Sequence, residues 1–107
     1  MTLEEFYDAI SLGLNIPSVY GPYKDNQAAP YITYEATEKE CIYADGVVIY
    51  AEDWIELRLV TKSRDIVQEK LVEHFLTSNG ISFDVPDFEY DDTQHIHITT
   101  YNFMIGG

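Results

Sequence analysis

Residues 47–61 hold the pattern that most limits what this chain can fold into. Ile55, Leu57 and Leu59 alternate with Trp54, Glu56 and Arg58. Side chains on a strand point to opposite faces in turn, so this run has one apolar face and one wet face. A half-buried strand of that kind belongs to an antiparallel sheet covered on one side only. Asp45-Gly46 stands just before it and is a hairpin signal. The strand must therefore return on a neighbour, with short strands expected at 41–43 and 31–37. Residues 37–40 form a polar break between those two.

The remaining segments fit around that sheet. Thr2 followed by Glu5 reads as a capping box for a helix over 2–14, with Leu3, Phe6, Tyr7, Ile10 and Leu14 as its apolar stripe. Residues 16–20 read as a short strand. Residues 21–30 carry Gly21, Pro22 and Pro30 without periodicity and read as a loop. Ser63 reads as the N-cap of a second helix over 64–78. Its expected buried stripe is Ile66, Val67, Leu71, His74 and Phe75, with Glu69, Lys70 and Glu73 toward solvent. Asn79-Gly80 reads as a left-handed C-cap. Ile81, Phe83 and Val85 alternate as a strand broken at Pro86, which Phe88 and Tyr90 extend. Asp91-Asp92 reads as a turn, and 95–105 as the last strand. The order α-β-β-β-β-α-β-β gives one α+β domain over 1–107, a mainly antiparallel sheet with two helices on one face.

Charge then narrows function. Six Lys+Arg stand against nineteen Asp+Glu, a net charge of −13. The cations are scattered, so tight binding to a phosphate backbone or to an anionic membrane is not expected. No apolar run reaches the length needed to cross a bilayer. The acidic start of the chain lacks the basic region of a secretory signal. A lone cysteine, Cys41, fits a reducing compartment, so assembly in a cytoplasm is expected.

Catalytic constellations are hard to find. His95 and His97 have the spacing of two metal ligands on one strand face, and Asp91 or Asp92 stands near. A two-ligand spacing is a weak signal, and solvent-facing polar alternation accounts for both histidines. They are the weak metal candidates; no metal and no cofactor is expected. His74 reads as a partly buried structural histidine. Cys41 lies among Glu38 and Glu40, which disfavour a thiolate, so it does not read as a nucleophile. There is no Gly-x-Ser-x-Gly elbow and no Gly-rich phosphate loop. The chain does not read as an enzyme, and no catalytic residue is assigned. Nine Tyr and one Trp are more than the core of so small a domain needs. Exposed Tyr and Trp favour protein–protein contact. Tyr23, Pro30, Tyr31, Tyr34, Trp54 and Arg58 are the interface candidates.

Taken in order, several pieces resemble one family. They are Ile16-Pro-Ser-Val-Tyr-Gly, Ala29-Pro-Tyr-Ile-Thr-Tyr and Tyr43-Ala-Asp-Gly-Val-Val-Ile-Tyr. The strand Trp54-Ile-Glu-Leu-Arg-Leu-Val-Thr-Lys-Ser-Arg-Asp follows, leading into Ile66-Val-Gln-Glu-Lys-Leu-Val-Glu and then Asn79-Gly-Ile-Ser-Phe. From about residue 16 to 101 the chain resembles the tail-terminator, or tail-completion, proteins of long-tailed phages and prophages of Gram-positive bacteria. Where that family has a Lys-rich turn before the second helix, this chain has Lys62 and Arg64. The resemblance implies a small α+β fold and a hexameric ring at the head-proximal end of the tail tube. Such a ring stops tube polymerisation and joins the tail to the head. The implied partners are further copies of the chain, the tail tube protein and the head-completion or connector protein. The implied location is the virion, at the head–tail interface. Phage DNA would pass through the ring without specific binding, and an acidic lumen would repel its phosphates. Three alternatives stand beside this reading: another head–tail connector such as a stopper or adaptor, an acidic interaction or decoy protein, and a metal-dependent enzyme using His95 and His97, which fewer than three converging ligands would dispose of.

Overall fold

The computed structural model describes residues 1–21 and 29–106. The architecture is α+β. Helix α1 (Leu3–Gly13) leads to β1 (Ser18–Tyr20), β2 (Tyr31–Ala44), β3 (Val47–Thr61), α2 (Ile66–Ser78), β4 (Asp87–Asp91) and β5 (Ile96–Gly106). The strands form one five-stranded sheet in the order β1-β2-β3-β5-β4. Only the β1–β2 pair is parallel. The short strands expected at 31–37 and 41–43 are one continuous strand, β2, with an irregularity between Ala36 and Glu38. The polar residues between them are paired with β3 rather than looped out. Of the strand expected at 81–85, only an isolated bridge from Phe83 to Phe103 forms, and regular pairing begins at β4, beyond Pro86.

Local chemistry sets the element ends. The Thr2 hydroxyl accepts from the Glu5 amide at 3.1 Å, and Glu5 Oε1 accepts from the Thr2 amide at 3.2 Å, the expected capping box. The bond from the Thr2 amide, with the Thr2 side chain beside it, stabilises the Glu5 carboxylate and lowers its pKa. At α2 the N-cap is Asp65, not Ser63; its Oδ1 accepts from the Gln68 amide at 3.1 Å. At the other end the Ile81 amide donates to Leu76 O and the Gly80 amide to Thr77 O, with Gly80 at φ 73°. That is a Schellman closure, and Leu76 and Ile81 are both buried beside it.

The core lies between the helices and one face of the sheet. Phe6 and Ile10 of α1 and Val72, Phe75 and Leu76 of α2 join Ile32, Tyr34, Ile55, Leu57, Leu59, Tyr101, Phe103 and Ile105. Register explains the set. Tyr34 lies across from Leu57, which lies across from Tyr101, so one side of the ladder is apolar through three strands. Phe6 is the hub: its ring lies 5.6 Å from Tyr34, 6.1 Å from Phe75 and 5.5 Å from Phe103, centroid to centroid. A smaller cluster of Tyr31, Val60 and Ile96 occupies the opposite face at one end.

The orientation of α2 corrects the sequence reading. Its buried side is Val72, Phe75 and Leu76, while Ile66, Val67 and Leu71 are exposed. His74 is also exposed, and its Nε2 meets the Ser78 hydroxyl at 3.3 Å. Glu69, expected in solvent, is 6% exposed and meets Arg64 at 3.4 Å. The helix has apolar residues on two sides, and the sequence pattern alone favours neither.

Candidate interaction surface

The β2–β3 hairpin runs past the body of the protein. Strand β5 covers β3 only as far as the Glu52–Gly106 pair, and β1 covers β2 only over Ile32, Thr33 and Tyr34. Among the described residues, 41–51 therefore form a ladder of two strands with no third. The molecule measures 51 × 26 × 23 Å, and its radius of gyration is 14.8 Å, against about 13 Å for a compact domain of this length. The turn at the tip has Asp45 at φ 53° and Gly46 at φ 78°, both left-handed. Two consecutive left-handed residues make a type I′ turn, whose twist matches the flanking strands.

The tip is apolar. Tyr43 is 63% exposed and Val48 48%, and they face each other across the ladder. Ile42 and Tyr50, also exposed, form the next pair. Cross-strand partners share a side of the ladder, and an irregularity between Ile42 and Tyr43 interrupts the alternation there. Asp45 is the only charge within 41–51, in a chain that is 23% charged. The Tyr50 ring lies against Gly106, where a Cβ would collide with it. Below the tip the ladder turns polar: Trp54 Nε1 donates to Glu40 Oε1 at 3.1 Å, and Glu40 stands across from Glu52.

A second apolar surface lies on the helices. Leu12 of α1 is 89% exposed, and with Ala9, Leu14, Leu71 and Phe75 it lines an open groove of about 450 Å³ between α1 and α2. Val67, 69% exposed, stands one turn before Leu71. Lys62, Arg64 and Lys70, half of the chain's cations, are exposed around the start of α2.

The residues singled out from sequence are distributed differently. Tyr31 and Tyr34 are each 1% exposed and belong to the two buried clusters, which corrects their reading as interface residues. Burial among apolar neighbours pushes the Tyr34 phenol up to about 12. Arg58 is half-buried between Glu56 at 2.8 Å and Glu35 at 3.4 Å, so its charge is matched within the sheet. Trp54 is half-buried and Pro30 exposed. Tyr23, and most of the expected loop at 21–30, lie outside the described residues.

The histidine pair is not the two-ligand strand site that its spacing suggests. His95 sits in the β4–β5 turn at φ 55°, while His97 is on β5. Both lie against Tyr90: its hydroxyl is 3.4 Å from His95 Nδ1, and its ring is 4.8 Å from that of His97. Asp91 uses Oδ1 to accept from the Thr93 and Gln94 amides, so it shapes the turn. No cluster of three potential metal ligands occurs among the described residues. Likewise, no helix among them is long and apolar enough to cross a membrane.

Compared with models of known protein families and with curated proteins, the sequence matches none. The arrangement leaves apolar side chains exposed at the arm tip and on the helices, surface of the kind that another protein can bury. Sequence reasoning counted Tyr43 and Tyr50 among the tyrosines in excess of the core without choosing them as interface candidates, and passed over Ile42 and Val48. The signal was present: Asp45-Gly46 at the centre of a β-rich stretch from 31 to 61 demands two strands longer than a small sheet can cover.

Proposed function

We propose that this chain is a structural subunit of a long-tailed phage: a tail terminator that forms a ring on the head-proximal end of the tail tube and joins tail to head. The observation that carries this reading is the arm at 41–51, on which Ile42, Tyr43, Val47 and Val48 are exposed in the single copy. A two-stranded hairpin is at best marginally stable alone, so an arm of this composition suits a chain that works in an assembly. The net charge of −13 suits a ring through which DNA moves, because carboxylates repel phosphate. The mechanism is surface complementarity: one face of the ring matches the last layer of tube protein, the other the connector of the head.

Light scattering on the purified chain over a wide concentration range, with negative-stain images of the same sample, tests the reading. Rings with a central hole are expected, and added to polymerising tail tube protein they shorten the tubes and sit at one end. Rings that bind the head connector but leave tube length unchanged support a stopper instead. A chain that stays monomeric and leaves tube growth unchanged overturns the proposal.

A further inference from the structure

A cluster of tyrosines stands apart from both the arm and the groove between the helices. Tyr20 ends β1 and lies beside Tyr34 of β2 in the parallel register, so the two rings share one face of the sheet. Their centroids are 5.4 Å apart with the planes at 82°, edge to face. The Tyr20 hydroxyl accepts from the Ala36 amide at 3.4 Å, which holds the ring in place. Helix α1 brings Tyr7 to the same spot, its ring centroid 6.4 Å from that of Tyr34. Leu3 and Glu4 stand one turn before Tyr7 on the same side of the helix. These five residues line an open pocket of about 290 Å³. Tyr34, 1% exposed, is its floor; Tyr7 and Tyr20, 53% and 48% exposed, are its walls.

Charge selects what such walls can hold. Among the described residues no lysine, arginine or histidine lines the pocket, and Glu4 is its one charged group. Glu5 closes the capping box and offsets the positive end of α1. The Glu4 carboxylate is exposed and makes no ion pair or hydrogen bond among the described residues. We propose that this pocket binds a small quaternary ammonium compound of the choline class. Tyrosine faces attract cations, and cages of such rings recognise quaternary ammonium groups. A plain ammonium brings three N–H donors and a tightly held water shell, and the Leu3, Tyr7 and Tyr20 walls offer little to replace them. A trimethylammonium group carries the same charge without an N–H, and its methyl groups suit apolar walls. At about 290 Å³ the pocket has room for one such headgroup. Nothing in this site depends on the ring reading above.

Saturation-transfer NMR on the methyl protons of choline reads binding to the full chain, whether that chain is a monomer or a ring. Choline is expected to bind saturably. Its neutral isostere, with a tert-butyl group in place of trimethylammonium, is expected to bind about tenfold more weakly. Tyr7→Leu keeps the bulk of an exposed side chain but removes one wall ring, and should weaken choline about fivefold. Glu4→Gln should weaken it less and reduce its dependence on salt. Circular dichroism checks that both variants fold, and Tyr43→Leu, on the arm, should bind choline as the parent does. The absence of saturable binding overturns the proposal. So does equal binding of the neutral isostere, or an unchanged affinity in Tyr7→Leu. Tighter binding of a trimethyllysine peptide than of choline would overturn the assignment to a small molecule. None of these results bears on whether the chain forms a ring.

Discussion

The Tyr101 hydroxyl donates to Glu73 Oε2 at 3.1 Å, tying the middle of β5 to α2. Tyr101 is fully buried and Glu73 half-buried, so the bond satisfies two groups that water reaches poorly. Tyr101→Phe keeps the ring and its edge contact with Phe83 but removes the donor. We expect a loss of about 1–2 kcal/mol in urea unfolding, with Tm falling by about 4–8 °C for each kcal/mol. Tyr43→Phe, at an exposed position, should leave stability unchanged in the monomer. Equal effects from the two substitutions would mean that the bond to Glu73 contributes nothing.

Alkaline pH should destabilise the fold through the same buried phenols. Burial raises Tyr34 from 10 to about 12, and neighbouring Tyr7 and Tyr20 add to the shift. Tyr101 is raised as well, by burial first and by Glu73 second. A group with a raised folded pKa binds its proton more tightly in the native state. Its contribution is therefore complete below pH 10 and lost as pH climbs from 10 through about 12. Absorbance titration at the phenolate band should show exposed tyrosines ionising first, with Tyr34 and Tyr101 following as the chain unfolds. A single titration of all tyrosines near pH 10, with circular dichroism unchanged, would contradict this.

How much of this was legible in the sequence depends on how strongly each residue is constrained locally. Thr2 with Glu5, Asp45 with Gly46 and Asn79 with Gly80 each specify a backbone geometry within a few residues, and all three form as read. The alternation of Ile55, Leu57 and Leu59 was equally plain, because a period of two has only two solutions. Helix α2 was not legible in the same way. Its Ile66-Val67-Leu71 and Val72-Phe75-Leu76 stripes compete, and packing against Phe6 and Tyr101 decides between them, information held elsewhere in the chain. Tyr34 and Tyr31 misled for a related reason: tyrosine suits an interface and a core periphery alike, and only register buries it. The histidines misled because the spacing of His95 and His97 assumes an unbroken strand, whereas His95 adopts the left-handed turn that precedes β5.

The aromatic hub gives the largest expected stability effect. Phe6 is fully buried and touches Tyr34, Phe75 and Phe103. Phe6→Ala removes the ring that joins α1 to both α2 and the sheet, at a cost of about 3–5 kcal/mol. That is a large share of the stability of a small domain, so Phe6→Leu, at about 1–2 kcal/mol, provides a measurable folded variant. Chemical unfolding followed by tyrosine fluorescence checks both. A change below about 0.5 kcal/mol for Phe6→Leu, the scatter of surface substitutions, would mean the hub repacks freely.

The ion pair of Arg64 with Glu69 should behave asymmetrically. Glu69 is nearly buried while Arg64 keeps more than half its side chain in water, and the guanidinium lies 4.4 Å from the centre of the Phe88 ring. Removing Arg64 strands a buried carboxylate and uncovers Phe88; Arg64→Ala is expected to cost about 1–2 kcal/mol. Glu69→Gln keeps an acceptor of the same shape and frees an exposed cation, so it should cost less than half as much. Thermal unfolding of the two variants at pH 7 decides the order, and a larger loss from Glu69→Gln would place the weight of the pair on the arginine instead.

Shortening the arm tests whether it belongs to the folding unit. Replacing residues 41–51 by Asn-Gly joins Glu40 to Glu52, which already face each other across the ladder, through a two-residue turn of the favoured type. None of the replaced residues belongs to either buried cluster, and Ile55, Ala36 and Ile105 still close the core at that end. The packing of Tyr50 on Gly106 is lost with the arm. The shortened chain is therefore expected to unfold within about 1 kcal/mol of the parent, close to the range of surface changes, and to run as a monomer where the parent associates. Unfolding on removal of the arm would instead make 41–51 part of what holds the sheet together, and its apolar tip would then be explained by folding rather than by assembly.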